Sequence, residues 1–227
     1  MGKKVELGIN NSFAIKKWVE PEEWTRVIVE EIGLNNIQLS FDLFYPSLKE
    51  SNVSFMCNEI NIAVKKYNSK ISSTFTGLNT YSQNMLGHPN PVIRKSALDY
   101  YIDAIKISSK TNVPITGGHF LAFTIKDFNN KKTREYLMQS LFEAIIYLSK
   151  VAYDYNLKSL TLEYMATPYE LPHTIKEAKK IALKSAGREA KKDNWYAYLV
   201  TDPKAFVDDF GGVRFKAGTT CERLGQI

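Results

Sequence analysis

The sequence predicts an α/β fold whose parallel strands form a barrel, on three observations. Short apolar segments alternate with longer amphipathic ones through five units, which implies parallel strands joined by helical crossovers. No Gly-rich dinucleotide fingerprint follows the first strand, which favours a barrel over a nucleotide-binding open sheet. Polar residues gather where the strands end, the face on which such barrels carry their chemistry.

The units follow in order. "KVELGIN" (4–10) reads as the first strand, and 20–33 as a helix with Pro21 and two acids in its first turn and Gly33 at its end. "NIQLSFD" (36–42) is a strand and "MCNEINIAVKKYN" (56–68) a helix. "KISSTFTG" (70–77) is a third strand, followed by the loop "LNTYSQNMLGHPNP" and a helix over 92–111. "VPITGGH" (113–119) leads to the long helix 131–156, and "SLTLEYM" (159–165) to a helix from about 173.

Composition bounds the rest. With 227 residues, 44% of them hydrophobic and 12% aromatic, the chain supplies the core of a single β/α-barrel domain spanning 1–227. It has no uninterrupted apolar run of about 18 residues. Its start, "MGKKVELGIN", has no apolar leader and carries Glu6 where a myristoylation signal needs Ser or Thr. The expectation is a cytoplasmic protein without a membrane partner. Cys57 and Cys221 lack metal-ligand spacing and read as unpaired thiols. The net charge is +6, but its lysines are spread along runs such as "KEAKK" and "REAKK" that read as solvated helix faces. That argues against a nucleic-acid partner and is compatible with an anionic small substrate.

Asn10, Asp42, the cluster Thr80, Tyr81 and Asn84, then His119 and Glu163 all fall at strand ends or just beyond, so they would converge on one mouth. For Asn10 and Asp42 the alternative is capping of the next turn or helix. In "TGGH" two glycines precede His119 and permit close backbone approach, which suits a ligand-facing imidazole. Trp18 is a pocket candidate able to cover a sugar face, whereas Trp24, at helical spacing from Ile28, reads as core. His88 reads as positioning its loop and His173 as capping a helix. Glu163 ends an apolar strand, where a carboxylate is costly without a purpose; a salt bridge at the rim is the alternative to a chemical role.

The segments "GLNTYSQNMLGHPNPVIRKSALDYYIDAI", "GGHFLAF" and "LEYMATPYELPHTIKEA" together resemble the xylose-isomerase-like TIM-barrel superfamily. Within it they are similar to the sugar-phosphate isomerase/epimerase branch that includes erythrulose-phosphate isomerases, over roughly residues 4–182. The resemblance implies a divalent-metal site (Mn2+, Mg2+ or Zn2+) at the C-terminal mouth, and a sugar or sugar phosphate as substrate. It also implies that a glutamate ending the fifth strand binds metal and takes part in proton transfer. Glu163 matches that position. His119, ending the fourth strand, is expected to hydrogen-bond substrate and not to ligate metal.

Residues 183–227 depart from the branch's pattern: the later metal-binding aspartate, Gly-His pair, histidine and second glutamate are not recognisable. Three readings follow. "WYAYLVTD" is a divergent sixth strand ending in Asp202 and "VRFKAGT" a seventh, so that Asp202, with Glu222, replaces the missing ligands; or the barrel stays open; or a partner subunit completes it. Seven strands fall one short of closure, and an exposed edge favours a homo-oligomer. The functional expectation is a metal-dependent isomerase or epimerase. A sugar-binding or regulatory relative without catalysis is the competitor, and an abasic-site endonuclease is disfavoured by a chain with three histidines.

Overall fold

The computed structural model describes residues 6–185, 196–200 and 212–216. Strands β1 (Gly8–Asn10), β2 (Asn36–Ser40), β3 (Lys70–Phe75), β4 (Ile115–Gly118), β5 (Ser159–Glu163), β6 (Tyr196–Val200) and β7 (Gly212–Lys216) lie side by side in chain order. The helices are α1 (Pro21–Arg26, continued by a wider turn over Val27–Ile32), α2 (Glu50–Lys66), α3 (Pro91–Lys110), α4 (Ile125–Asn129), α5 (Lys131–Asp154) and α6 (Ile175–Ser185). β1 to β6 pair in parallel, as the repeated strand-helix pattern requires. This is the α/β arrangement of neighbouring parallel strands and helical crossovers that the sequence predicts.

Each unit turns from helix to strand by one device. Asn68, Asn112 and Asn156 follow α2, α3 and α5 with φ of 48°, 57° and 61°, and Gly33 ends the first helix at 80°. The next N–H then reaches back to a carbonyl of the last turn: Ser69 to Val64, Val113 to Ser108, Leu157 to Ala152 and Leu34 to Ile28. Asn and Gly tolerate this left-handed geometry, and the back-bond satisfies carbonyls that the helix leaves open. The starts are fixed as locally: Pro21 opens α1 within a Glu20/Glu23 capping box, and Asn90, Thr124 and Asn130 cap α3, α4 and α5 with their side chains.

Strand alternation sorts the side chains into two layers. Ile37 and Leu39 of β2 pack outward with Trp24, Ile28, Val53 and Ile60 in one apolar cluster. Leu160 and Leu162 of β5 pack with Leu137, Leu141, Ile145 and Leu148 of α5 and Ile181 of α6 in the other. α3 serves both, giving Ala104 and Ile107 to the first and Tyr100, Tyr101 and Ile105 to the second. The opposite parity faces the barrel interior and is polar: Asn10 Nδ2 donates to Gln38 Oε1 at 2.7 Å, and Gln38 Nε2 to Ser73 Oγ at 3.0 Å. Glu163 shares its parity with Thr161 and Ser159, so it too points inward.

Two expectations change. β6 lies parallel beside β5, with Val200 opposite Glu163, but β7 runs antiparallel to β6, so "VRFKAGT" is not a further strand of the parallel series. The connection 201–211 is shorter than the dozen or more residues that a parallel crossover takes, and suffices for an antiparallel return. Among the described residues no pairing joins β7 to β1. α2 starts at Glu50 and not at 56, because its first turns are solvent-facing apart from Val53 and show little periodicity. Among the described residues no helix is long and apolar enough to cross a membrane.

Candidate active site

Glu163 is half-buried at the end of β5, where the inward parity of the strand delivers it to the mouth. The Tyr81 hydroxyl donates a short hydrogen bond to its Oε2. Burial raises the carboxyl's pKa above the usual carboxylate range; the Tyr81 bond opposes this, and the negative charge of Glu170 adds to it. Burial and the Glu163 carboxylate likewise hold the Tyr81 phenol well above its ordinary value, so it stays a protonated donor. Among the described residues no lysine or arginine pairs with Glu163, so the rim salt bridge finds no partner there.

His119 follows β4 and is fully buried at 0% exposure. Its ring stacks on Tyr81 with centroids 5.4 Å apart and planes 28° off parallel, and Phe75 leans on Tyr81 at 6.1 Å. Its Nδ1 lies 3.1 Å from the Thr80 carbonyl, which can only accept, so Nδ1 carries the proton. Burial lowers the imidazole's pKa against the pull of Glu170 and of that carbonyl, so the ring is neutral. The glycines before it serve close approach: a Cβ on Gly117 would stand 1.9 Å from the Thr161 carbonyl oxygen, and one on Gly118 2.3 Å from Thr76 Oγ1.

The turn that carries Tyr81, Leu78–Ser82, is held at its start by Asp42. The carboxylate of Asp42 accepts from the backbone N–H groups of Leu78 at 2.8 Å and Asn79 at 3.3 Å, and from Ser40 Oγ at 2.6 Å. Thr80 closes the turn by donating its hydroxyl to the Gly77 carbonyl at 2.7 Å. Thus Asp42, placed with the substrate contacts by sequence, caps the Tyr81 turn. Asn10 caps the turn after β1 by accepting from Ser12 N at 2.8 Å. Asn84 donates to the Ala122 carbonyl at 2.8 Å and ties this loop to the segment after β4. Trp18 packs edge-on to Phe13 at 6.1 Å with the Lys17 ammonium 3.9 Å above its ring, an aromatic platform after β1. His88 accepts from Asn90 N, and His173 stacks on Tyr164 at 6.3 Å at the head of α6.

Sequence reasoning missed Glu170, although it stands in the quoted stretch seven residues after Glu163. Its Oε2 accepts from Thr167 Oγ1 at 2.8 Å, and its charge reaches Glu163, Tyr81 and His119. A second acid just past the "ATPY" turn was the available signal. Asp202 and Glu222 lie outside the described residues. Among the described residues no group of three His, Cys, Asp or Glu side chains is placed to hold a metal ion, so Glu163 alone does not make a metal site.

Comparison with known proteins agrees with the resemblance. No protein-family profile matches the chain. It is 23% identical over 176 residues to D-erythrulose 1-phosphate 3-epimerase of Brucella abortus (strain 2308), covering 77% of this chain and 56% of that protein. Among solved structures it is similar to a xylose isomerase-like protein of Rhodospirillum rubrum, with 25% identity and a TM-score of 0.81 over 88% of this chain and 66% of that one. D-psicose 3-epimerase of Clostridium cellulolyticum H10 shares the fold at 18% identity and a TM-score of 0.61, over 87% of this chain and 63% of that one. The chain thus spans just over half the length of the curated relative and under two thirds of these two structures. These relatives fall in the xylose-isomerase-like, sugar isomerase/epimerase superfamily that the three sequence segments resemble.

Proposed function

From that likeness and this geometry we propose that the protein is a sugar or sugar-phosphate isomerase/epimerase in which Glu163 is the base. The observation that carries the reading is an inward carboxylate at the end of β5, buried enough to hold a proton more tightly than an exposed glutamate and kept in place by a neutral phenol. Inverting a carbon beside a ketone requires breaking its C–H bond, with the electron pair passing to the carbonyl as an enediolate and the proton to the base. A base of raised pKa is better matched to that task near neutrality. Delivery of a solvent-derived proton to the opposite face, with Glu163 releasing its own to solvent, inverts the centre, and return of the Glu163 proton at the neighbouring carbon isomerises. The interior ladder Asn10–Gln38–Ser73 supplies hydrogen-bonding groups for sugar hydroxyls, and Trp18 an apolar face for the ring or chain.

A divalent ion (Mn2+, Mg2+ or Zn2+), when bound, would stabilise the enediolate charge. Glu163 and Asp202 are the candidate ligands. The test is exchange of the C3 proton of D-erythrulose 1-phosphate in D2O, followed by NMR with added Mn2+ or Mg2+, the substrate being the one named for the Brucella relative. Wild type should exchange and epimerise it, and Glu163→Gln, with its fold intact, should be slower by a factor of roughly 10²–10⁴. Equal rates in the two proteins would remove Glu163 from the chemistry. Retained binding of the sugar with no exchange in wild type would shift the assignment to the non-catalytic, sugar-binding alternative.

A further inference from the structure

We infer that Tyr81 is a positioning residue for Glu163, and that Asp42 and His119 act through it by pinning the turn on which it stands. The inference rests on the isomerase/epimerase reading and assigns these three residues a joint role that is not substrate contact.

The geometry is a tripod. The turn Leu78–Ser82 leaves the end of β3, and three neighbouring strand ends hold it. Asp42, just past β2, takes the two N–H groups at its start, at 2.8 and 3.3 Å. His119, just past β4, donates to the carbonyl of Thr80 at 3.1 Å and lays its ring against Tyr81. Glu163, ending β5, receives the Tyr81 hydroxyl. These contacts bridge 36, 39 and 82 residues of chain, so they are tertiary and independent of the turn's own preference.

A glutamate side chain has three rotatable bonds, and holding its carboxylate in one orientation costs entropy on each reaction cycle unless another group fixes it. Tyr81 can do so without joining the reaction, because its phenol is stacked and half-buried between Phe75 and His119. The second carboxylate oxygen of Glu163 has no hydrogen-bond partner among the described residues, which leaves it to take the proton. Asp42 is well suited to the remote end of the device. Both its oxygens are engaged by the turn and by Ser40, so its charge organises backbone and not ligand.

Positioning makes a prediction that substrate binding does not. Tyr81→Phe keeps the ring stacks and loses one hydroxyl. With D-erythrulose 1-phosphate it should lower kcat about 10- to 100-fold, while KM changes less than about 3-fold. The decisive measurement is a double-mutant cycle with Glu163→Asp, whose shorter side chain withdraws its carboxylate from the phenol. In that background Tyr81→Phe should cost less than about 2-fold. Asp42→Asn, which keeps its shape but weakens the hold on the turn, should reproduce the kcat loss in part, and thermal melts should show all variants folded.

An additive cycle, or a Tyr81→Phe effect confined to KM, overturns the inference and returns Tyr81 to the substrate while the isomerase/epimerase reading stands. A wild type that turns over neither D-erythrulose 1-phosphate nor D-psicose overturns the reading, and the inference with it.

Discussion

Glu163 carries a thermodynamic signature that can be read without any substrate. Burial raises its pKa in the folded protein above the value near 4.3 of an unfolded chain, more than Tyr81 lowers it. A group whose folded pKa is raised favours the native state below the unfolded pKa and withdraws that support as pH rises through the folded pKa. Wild type should therefore lose stability relative to Glu163→Gln as pH climbs from about 4 through the raised value, and run parallel to it outside that window. Urea unfolding of both proteins in EDTA across pH 3.5–8 measures this, and a constant difference would show that the carboxyl is not desolvated. Glu163 was readable as a residue of interest because an acid ending an apolar strand is conspicuous. Its partner was not, since Tyr81 lies 82 positions away and nothing in one sequence records which polar neighbours a fold brings together. For the same reason spacing left two readings for Asp42 and Asn10, substrate contact or cap: it locates a polar side chain at a strand end, and only the packed turns show that oxygens of both serve backbone N–H groups.

Strands and helices were more transparent than their ends. Five helices and five parallel strands follow from apolar periodicity, which packing then enforces, and the sixth strand was one of three readings of the last segment. The five-residue α4 is too short to show a period, and the opening turns of α2 bury one side chain, so both were invisible to it. The Asn-strand junctions were in plain text as "YNS", "TNV" and "YNL", each after a helix and before a strand, and could have set three boundaries to the residue. β4 carries the sharpest constraint on element spacing. Gly117 lets β4 approach β5 where any side chain would meet the Thr161 carbonyl oxygen at 1.9 Å, and that contact involves backbone, which cannot swing away. Gly117→Ala should cost roughly 1–3 kcal/mol or more in chemical unfolding. It should also impair His119 and Glu163 together, because both stand at the ends of the two strands forced apart. A variant as stable as wild type would mean that the strands can separate freely.

For the molecule as a whole, the parallel series of strands extends past the one that carries Glu163. β6 pairs in parallel beside β5 with Val200 level with Glu163, and Asp202, the sequence's second candidate ligand, lies outside the described residues. If Asp202 completes a metal site, calorimetric titration of Mn2+ should show stoichiometric binding to wild type, weakened comparably by Asp202→Ala and by Glu163→Gln. Tight binding that ignores Asp202 would overturn that assignment.

The division of the apolar interior into two clusters has a consequence in time. The first is built from residues between Ala14 and Val113, and strands pair with their chain neighbours throughout, so every contact it needs is available early in translation. Asp42 and Tyr81 belong to that early half; His119, just past β4, and Glu163, ending β5, reach the ribosome's exit later. Order of synthesis therefore presents Tyr81 and its Asp42 anchor before the His119 anchor and the base, and the proton-transfer site is complete only when the second half docks along α3.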